Sequence, residues 1–280
     1  MGRSRRLPPP AAAASFGAFM AAEFELTFLG TGTSVGVPVI GCSCRVCTSE
    51  DPRNNRTRSS VHVRYGDISI LVDSGPDLRE QALREGLTRM DAVIYTHPHV
   101  DHVVGFDELR AFCWHREGPL PLHATAECMA VLKGMFGWAF SAENIYGGYI
   151  KPDPRVIDGP FSIGGLRITP LPVEHAKVVT IGFLFEAPHG HSVAYIPDAK
   201  RVPAETIGIL KRADVLILDA LRPAPHPTHL SIDEALEVIA ACGVSRAWLT
   251  HLGHDNDHHE LEAILPSGVG VAWDGLRIRG

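Results

Sequence analysis

A run of four potential metal ligands within six residues restricts the fold of this chain more than any other feature. Residues 96–102 read Thr-His-Pro-His-Val-Asp-His, and they follow an apolar run at 92–95 that is typical of a short buried strand. Side chains so close in sequence cannot all face one way on an extended chain, but a loop can turn them toward two adjacent points. Imidazole nitrogens and carboxylate oxygens together suit Zn, Mn or Fe. The run therefore predicts a loop that holds two metal ions at the end of a buried strand.

The composition agrees with a globular metal-binding protein and argues against several other classes. Fifteen of the 280 residues are histidines, 45% are hydrophobic and 21% are charged, so the chain can bury a sizeable core. The formal net charge is −6 at pH 7 and no basic run occurs beyond residues 3–6, which argues against a nucleic-acid duplex as a partner. Because no uninterrupted apolar stretch approaches about 18 residues, we expect no transmembrane helix and no membrane partner.

Strand and helix patterns occur in groups from residue 24 to the C-terminus, rather than in strict alternation. Strands are predicted at 24–29, 61–65, 68–72, 92–95, 166–171, 178–185, 192–196, 215–218, 246–250 and 269–273. Helices are predicted at 76–85, 106–114, 126–136, 231–241 and 255–265. Ser231 and Glu234 are spaced as a capping box, and residues 140–158, rich in Gly, Pro and Tyr, are predicted to form a loop or lid. The grouping predicts an α/β protein with mixed sheets sandwiched between helices.

The first 22 residues differ from the rest of the chain. They contain Arg3, Arg5 and Arg6, three consecutive prolines and an Ala-rich stretch, and no acidic side chain. The alternatives are a targeting peptide with a faint twin-arginine signal, a disordered tail, or a start codon placed too far upstream, with Met20 as the working initiator. We expect residues 1–22 to be a disordered or targeting tail, followed by one folded domain over 23–280.

Three of the six cysteines are closely spaced, as Cys42-x-Cys44-x-x-Cys47. This spacing brings three thiols together, one ligand short of a tetrahedral zinc site. A disulfide is the alternative, but it would leave one of the three thiols unpaired. So few cysteines in a chain of this length favour a reducing compartment. We therefore expect a cytoplasmic protein, although the first 22 residues leave organelle targeting or export open.

The motifs together resemble those of the metallo-β-lactamase superfamily, from Phe24 to the C-terminus. Residues 96–102 look like the superfamily's His-x-His-x-Asp-His signature, and four further motifs stand in its order. These are Asp73 in Leu-Val-Asp-Ser-Gly, His175 in Pro-Val-Glu-His, Asp198 in Tyr-Ile-Pro-Asp and His251 in Leu-Thr-His. The resemblance implies a four-layer αββα sandwich, two mixed sheets flanked by helices, with a dinuclear metal site on the loops at one edge of the sheets.

The superfamily's pattern assigns each ligand to a metal ion. It implies that His97, His99 and His175 bind the first ion, that Asp101, His102 and His251 bind the second, and that Asp198 bridges both. His175 and His251 each follow an apolar run, where a side chain leaves the core, although a lone histidine there would more often be a satisfied core residue. Pro197 stands where many relatives carry Ser or Thr, without replacing a ligand. Asp73 is expected to orient a ligand histidine by hydrogen bonding.

Two further motifs resemble the PhnP-type phosphodiesterases within this superfamily. The first is the cysteine triplet combined with a histidine three residues after His251. The resemblance implies that a structural zinc ion is bound by Cys42, Cys44, Cys47 and His254.

The second PhnP-like motif is His-Pro-Thr-His-Leu-Ser at residues 226–231, directly before a predicted helix. The resemblance implies that His229 contacts the substrate phosphate, where an imidazole could stabilise charge or protonate the leaving oxygen. His226 is the weaker candidate, and either histidine could instead cap the helix or face solvent. Asp219, which follows a predicted strand, is expected to support this loop.

The resemblance implies a metal-dependent phosphodiesterase that opens a cyclic phosphate of a sugar or nucleoside, such as a 5-phosphoribosyl 1,2-cyclic phosphate or a 2′,3′-cyclic nucleotide. Two divalent ions, Zn or Mn, would bind the phosphate and lower the pKa of a bridging water, so that hydroxide attacks phosphorus. Asp101 is expected to accept the nucleophile's proton and His229 to support the leaving oxygen. A small phosphodiester is thus the expected partner, and a homodimer is left open.

Other functions remain as alternatives. A hydrolase of another ester, a thioester or a lactone would use the same metal ions. A ribonuclease Z-like nuclease would need a basic arm that grips tRNA, and the sequence shows no Gly/Pro-rich arm with Lys and Arg. A non-catalytic binding protein would lack some metal ligands, whereas all seven are present. Of the remaining histidines, those predicted to face solvent are His189, His191, His258 and His259.

Overall fold

The computed structural model describes residues 22–114 and 116–280 and contains two seven-stranded sheets, and short apolar runs form the inner strands of the first sheet. This sheet comprises β1 (Phe24–Gly30), β2 (Ser60–Tyr65), β3 (Ile68–Val72), β4 (Ala92–Ile94), β5 (Leu120–Ala124), β6 (Pro152–Val156) and β14 (Arg277–Arg279). Its strand order is β14-β1-β2-β3-β4-β5-β6. Strands β3 to β6 are parallel and the pairs from β14 to β3 are antiparallel, so the sheet is mixed.

The second sheet is also mixed. It comprises β7 (Phe161–Ile163), β8 (Leu166–His175), β9 (Val178–Glu186), β10 (Ser192–Ile196), β11 (Val215–Asp219), β12 (Ala247–Thr250) and β13 (Val269–Val271). Its order is β13-β12-β11-β10-β9-β8-β7, with β10 to β13 parallel and β7 to β10 antiparallel. The carboxyl ends of β10, β11 and β12 therefore lie at the same edge of the sheet.

Helices cover the outer faces of both sheets. They are α1 (Leu78–Glu85), α2 (Val100–Val103), α3 (Arg110–Cys113), α4 (Ala126–Met135), α5 (Gly137–Phe140), α6 (Ala204–Leu210), α7 (Ile232–Cys242) and α8 (His258–Ile264), with 3-10 helices at Pro52–Asn54 and Val104–Leu109. Buried side chains of α1 and α4 pack on the first sheet, and those of α6, α7 and α8 pack on the second. The predicted capping box is present, because the Ser231 hydroxyl accepts from the Glu234 amide (3.3 Å) and the Glu234 carboxylate accepts from the Ser231 amide (2.7 Å).

The two sheets pack face to face through an apolar core. Val61 and Val63 of β2 face inward, and they contribute to one buried cluster with Phe183, Phe185 and Tyr195 of the second sheet. Residues that alternate with the inward-facing ones along a strand must point to the other face. The predicted four-layer αββα sandwich of two mixed sheets is confirmed.

Several shorter elements differ from the prediction. The sequence patterns predicted neither β5, β6, β7, β14 nor α6, and the lid predicted at 140–158 is wrong for residues 152–156, which form β6. Pro152 and Pro154 obscured this strand, but β6 is an edge strand, where proline is tolerated. The helix predicted at 106–114 is instead the 3-10 helix Val104–Leu109 continuing into α3.

The tail predicted at residues 1–22 lies outside the described residues, apart from residue 22. None of the helices in the described part is long and apolar enough to cross a membrane.

The four histidines predicted to face solvent differ in exposure. His189 and His259 are exposed and His191 is half-buried. The prediction that His258 faces solvent is wrong, because His258 is fully buried beside the buried Arg56 guanidinium.

Candidate metal centre and active site

The ends of strands from both sheets bring the seven predicted metal ligands to one edge of the sandwich. The first sheet supplies His97 and His99 after β4, and Asp101 and His102 in the short α2. The second supplies His175 at the end of β8, Asp198 after β10 and His251 after β12. All seven therefore emerge from the core at the junction of the two sheets.

The backbone is strained at this edge. In the described part of the chain, the three non-glycine residues with positive φ are Asp73 (63°), Ala176 (49°) and His251 (58°). Two of these are candidate site residues and the third follows His175. Such a conformation costs roughly 1–2 kcal/mol per residue, and it is typically retained where a side chain must be aimed at a functional site.

The first cluster contains three imidazoles whose nitrogens converge. Nδ1 of His99 lies 2.9 Å from Nε2 of His97 and 3.1 Å from Nε2 of His175. Asp198 Oδ2 lies 3.8 Å from the His97 nitrogen and 3.6 Å from the His175 nitrogen. Burial lowers the pKa of all three histidines, that of His175 to about 4, so the rings are neutral. Three neutral imidazoles with converging lone pairs favour a cation between them.

The second cluster contains two histidines and two carboxylates. Nε2 of His102 lies 3.3 Å from Asp101 Oδ2 and 3.2 Å from Asp198 Oδ1, while Nε2 of His251 lies 3.4 Å from Asp198 Oδ2. Burial alone would raise the pKa of Asp198, but His251 and His102 outweigh it and hold that pKa well below its usual range. Asp198 therefore stays ionised and contacts both clusters.

The donor set at these clusters fits divalent metal ions. Three buried atoms, Nε2 of His102, Nε2 of His251 and Oδ1 of Asp198, make no well-aligned hydrogen bond, although the first and the last lie only 3.2 Å apart, and all three point at the second cluster. Leaving a buried polar atom unpaired costs about 1–3 kcal/mol, and a bound cation would satisfy all three at once. Nitrogen and carboxylate donors are the mixture that Zn, Mn and Fe accept.

Asp73 fixes the orientation of two predicted ligands from behind. Its Oδ2 accepts from Nδ1 of His102 (2.8 Å), which leaves Nε2 of His102 free to face the second cluster. The same oxygen accepts from Oγ1 of Thr96 (2.8 Å), and that hydroxyl oxygen is 2.9 Å from Nδ1 of His97. Since the Thr96 proton is committed to Asp73, the His97 ring donates through Nδ1 and presents Nε2 to the first cluster. Thr96 was not predicted as a site residue, because nothing in the sequence indicates that its hydroxyl lies between Asp73 and His97.

The β11–α7 loop carries the predicted phosphate-contacting residue. Nδ1 of His229 lies 2.8 Å from Oδ2 of Asp219, which also accepts from the Ala199 amide (2.9 Å). The His229 ring stacks on His251 with centroids 4.6 Å apart. The same loop supplies the Thr228 carbonyl, which accepts from Nδ1 of His175 (2.7 Å). Asp219 thus has the supporting position predicted for it, and His229 borders both clusters.

The cysteine triplet forms a separate cluster with His254. Nδ1 of His254 lies 3.3 Å from the Cys42 sulfur and 3.6 Å from the sulfurs of Cys44 and Cys47. Ligand atoms around one tetrahedral zinc ion are roughly 3.3–3.8 Å apart. The Cys47 amide lowers the pKa of the Cys44 thiol to about 6, which favours a thiolate. These cysteines are free of disulfides, so the four side chains fit a structural zinc ion.

Comparisons with known proteins agree with this geometry. Residues 69–252 match the family described as the beta-lactamase superfamily domain. A solved structure described as a new diphosphatase from the PhnP family is 36% identical with a TM-score of 0.85, over 93% of this chain and 98% of that one. Zn²⁺-bound PqqB from Methylobacterium extorquens is 25% identical with a TM-score of 0.73, over 91% of this chain and 99% of that one.

A curated relative is larger than this chain. The octanoyltransferase of Porphyromonas gingivalis (strain ATCC BAA-308 / W83) is 37% identical over 89% of this chain, but the chain spans only 50% of that protein's length. The family match covers most of the described residues and includes all seven predicted ligands. It shows that the chain belongs to the metallo-β-lactamase superfamily, and the donor atoms of the two ligand clusters fit divalent metal ions.

Proposed function

We propose that this protein hydrolyses phosphodiesters, and that its substrate is a cyclic phosphate of a sugar or nucleoside. The observation that carries the proposal is the position of Asp198, whose two oxygens contact both ligand clusters while Asp219 holds His229 beside them. A pair of divalent ions bound there would supply Lewis acidity and lower the pKa of bound water. A phosphodiester has two non-bridging oxygens, which suits two adjacent cationic centres.

The protein's own residues would divide the remaining work. The partly exposed Asp101 carboxylate lies 3.3 Å from Nε2 of His102, and it can take a proton from an attacking water. His229 is held in one orientation by Asp219 and can contact the phosphate or the leaving oxygen. Asp73 and Thr96 keep the ligand histidines aimed at the clusters.

Hydrolysis of a diphosphate is a second candidate. The PhnP-family neighbour described as a diphosphatase is similar over nearly the whole of both chains, at 36% identity. Cleavage of a phosphoanhydride also needs attack at phosphorus and stabilisation of a leaving oxygen, so the same side chains would serve. Hydrolysis of another ester, a thioester or a lactone remains as a third use of the same centre.

A substrate panel with protein reconstituted in Zn or Mn tests the proposal. Adenosine 2′,3′-cyclic phosphate and ribose 1,2-cyclic phosphates represent cyclic diesters, ADP represents a diphosphate, and an acyl thioester and a lactone represent the third class. We expect ring opening of a cyclic phosphate, and loss of that activity in His97→Ala and Asp198→Ala. Full activity in either variant would refute the proposed centre, and turnover confined to the thioester or lactone would refute the substrate class.

Metal analysis completes this test. If both clusters and the cysteine site bind ions, then each chain should contain three metal ions. His259→Ala is a matched control, since His259 is an exposed histidine on α8. It should retain three ions and full activity. A content of one ion per chain would contradict the dinuclear centre.

A further inference from the structure

Large apolar side chains lie exposed together on the helical layer outside the first sheet. They come from the end of α3, from the outer faces of α4 and α5, and from the loop that leads into β6. They are Trp114, Val131, Met135, Trp138, Tyr146 and Tyr149, each between 39% and 66% exposed, and we call them the apolar patch. Single exposed apolar residues are ordinary on a protein surface, but a contiguous group of them marks an interaction site.

Contacts within the apolar patch hold its aromatic rings in place. The Trp138 and Tyr149 rings meet edge to face with centroids 5.3 Å apart, and Tyr149 meets Tyr146 in the same way at 5.5 Å. Nε1 of Trp114 donates to the carbonyl of Gly148 in the same loop (3.4 Å). Because these side chains are already ordered, a partner that covers them incurs a smaller loss of side-chain entropy.

Helix α4 is apolar on both of its faces. Met129 and Leu132 are buried against the first sheet. On the opposite face, Ala130, Val131 and Met135 are exposed. A helix at a protein surface ordinarily has a polar outer face, and a helix that is apolar all round is covered on both sides. The outer face of α4 therefore has the character of a surface that another protein covers.

The size of the apolar patch agrees with a stable protein–protein interface. Its four aromatic side chains together expose roughly 400 Å², and Val131 and Met135 add to this area. A standard interface takes about 800 Å² from each partner, of which about 450 Å² is non-polar. The patch thus supplies the apolar area that a dimer needs from each copy.

The charges on α4 favour a second copy of the same chain as the partner. The exposed charged side chains of this helix are Glu127 and Lys133, which cancel each other. Two identical surfaces of this kind do not repel, whereas a surface of one sign would. A convex helix face packs well on another helix face, and a twofold axis places the same residues on both sides of such a contact.

We propose that the apolar patch is the interface of a homodimer with twofold symmetry. This inference does not depend on the proposed phosphodiesterase function. Strands β4, β5 and β6 are parallel, so the loop that leads into β6 lies at the edge of the sheet opposite the end of β4, where His97 and His99 follow. The interface therefore leaves the two metal clusters open, and each copy of the chain has a complete set of ligands.

Sedimentation velocity and light scattering on the full, metal-loaded chain test the proposal. We expect a mass of two chains, with a Kd of about 1 µM or tighter. Trp138→Glu and Met135→Glu each place a charge twice in the interface, so each should raise the Kd about 100-fold or more. The matched control is Ile264→Glu, which replaces an exposed apolar residue on α8, outside the second sheet. It should leave the Kd unchanged.

Metal content and thermal melting show whether each variant keeps its fold. Both interface variants should bind as many metal ions as the unsubstituted protein, while the concentration dependence of its melting temperature should be lost. Hydrogen exchange of the unsubstituted protein provides a measurement that needs no substitution. Exchange of the amides at residues 130–149 should slow as the protein concentration rises through the Kd.

Three results would overturn the proposed interface. The first is the mass of a single chain up to about 100 µM, well above the expected Kd. The second is a dimer whose Kd is unchanged in both Trp138→Glu and Met135→Glu, because the contact would then lie elsewhere. The third is a dimer whose hydrogen exchange at residues 130–149 does not depend on concentration. None of these results would affect the proposed phosphodiesterase function.

Discussion

Replacing Asp73 by Asn should weaken metal binding at both ligand clusters. The fully buried Asp73 carboxylate accepts three hydrogen bonds, from the Thr96 amide, the Thr96 hydroxyl and Nδ1 of His102, each 2.8 Å long. Asn has one acceptor oxygen, and it keeps the Thr96 amide bond only if its NH₂ group faces His102. To accept from that NH₂, the His102 ring must move its proton to Nε2, the atom that faces the second cluster. A protonated Nε2 cannot bind a metal ion.

The first cluster is affected through the Thr96 hydroxyl, which lies between Asp73 and His97. If the NH₂ group of the introduced asparagine donates to the Thr96 hydroxyl, that hydroxyl's proton turns toward Nδ1 of His97, and the ring proton of His97 is again placed on Nε2. Loss of such supporting hydrogen bonds typically lowers metal affinity about 10–100-fold, or about 1.4–2.7 kcal/mol per ion. If His102 instead keeps its proton on Nδ1, that N–H faces the NH₂ group of the introduced asparagine, and two buried donors without acceptors cost about 1–3 kcal/mol of folding stability. Asn tolerates the positive φ at this position, so backbone strain does not confound the comparison.

Titration of the metal-free protein with Zn²⁺ against a competing chelator measures these affinities, and urea unfolding in chelator measures stability. The control is Asp153→Asn, because the Asp153 carboxylate on the edge strand β6 is 40% exposed and its hydrogen bonds within the described part of the chain are to Arg155. It should change neither quantity. The cysteine site should keep its affinity in both variants, which separates a local effect from unfolding. Wild-type affinity and stability in Asp73→Asn would refute the tautomer argument.

Three further predictions concern other parts of the molecule. Cys44→Ser should remove one metal ion per chain and lower the melting temperature by several degrees, measured by elemental analysis and calorimetry, whereas Cys113→Ser should leave the metal content unchanged. Gly75→Ala should cost about 1–3 kcal/mol of stability in urea unfolding and impair metal binding, because the added Cβ would lie 2.3 Å from the carbonyl oxygen of Asp101. In the control Gly134→Ala the added Cβ meets open space on α4, so this variant should instead gain about 1 kcal/mol of stability. Burial lowers the pKa of His62 to about 4, so the unfolded chain binds a proton that the folded chain does not. His62 alone should therefore cost the metal-free protein on the order of 3 kcal/mol of stability as pH falls from about 6.5 to about 4, and His62→Gln should lose less over that window than the unsubstituted protein; identical pH profiles would contradict this.

The ligands of the two clusters were easier to predict than the strands between them. His97, His99, Asp101 and His102 lie within six residues, so their meeting required only a local turn. The more distant ligands lie after apolar strand runs, and the resemblance supplied their pairing. By contrast, β6 carries two prolines and β14 alternates arginine with one isoleucine. Both are edge strands, where pairing with one neighbour is enough and the local apolar pattern is weak.

Contacts between distant segments could not be predicted from local patterns. His258 was expected on the surface because it lies in a polar helix, yet its amide donates to the Asn54 side chain (2.9 Å) and its ring lies 3.5 Å from the buried Arg56 guanidinium. Asn54 also donates to Asp257 (2.9 Å). These bonds join the segment that follows the cysteine triplet to the segment that follows His251. Since the triplet also contacts His254, the chain around His251 is held from outside the sheet by both contacts. A structural zinc ion at the triplet would therefore stabilise the position of the predicted ligand His251 as well as the loop that contains the three cysteines.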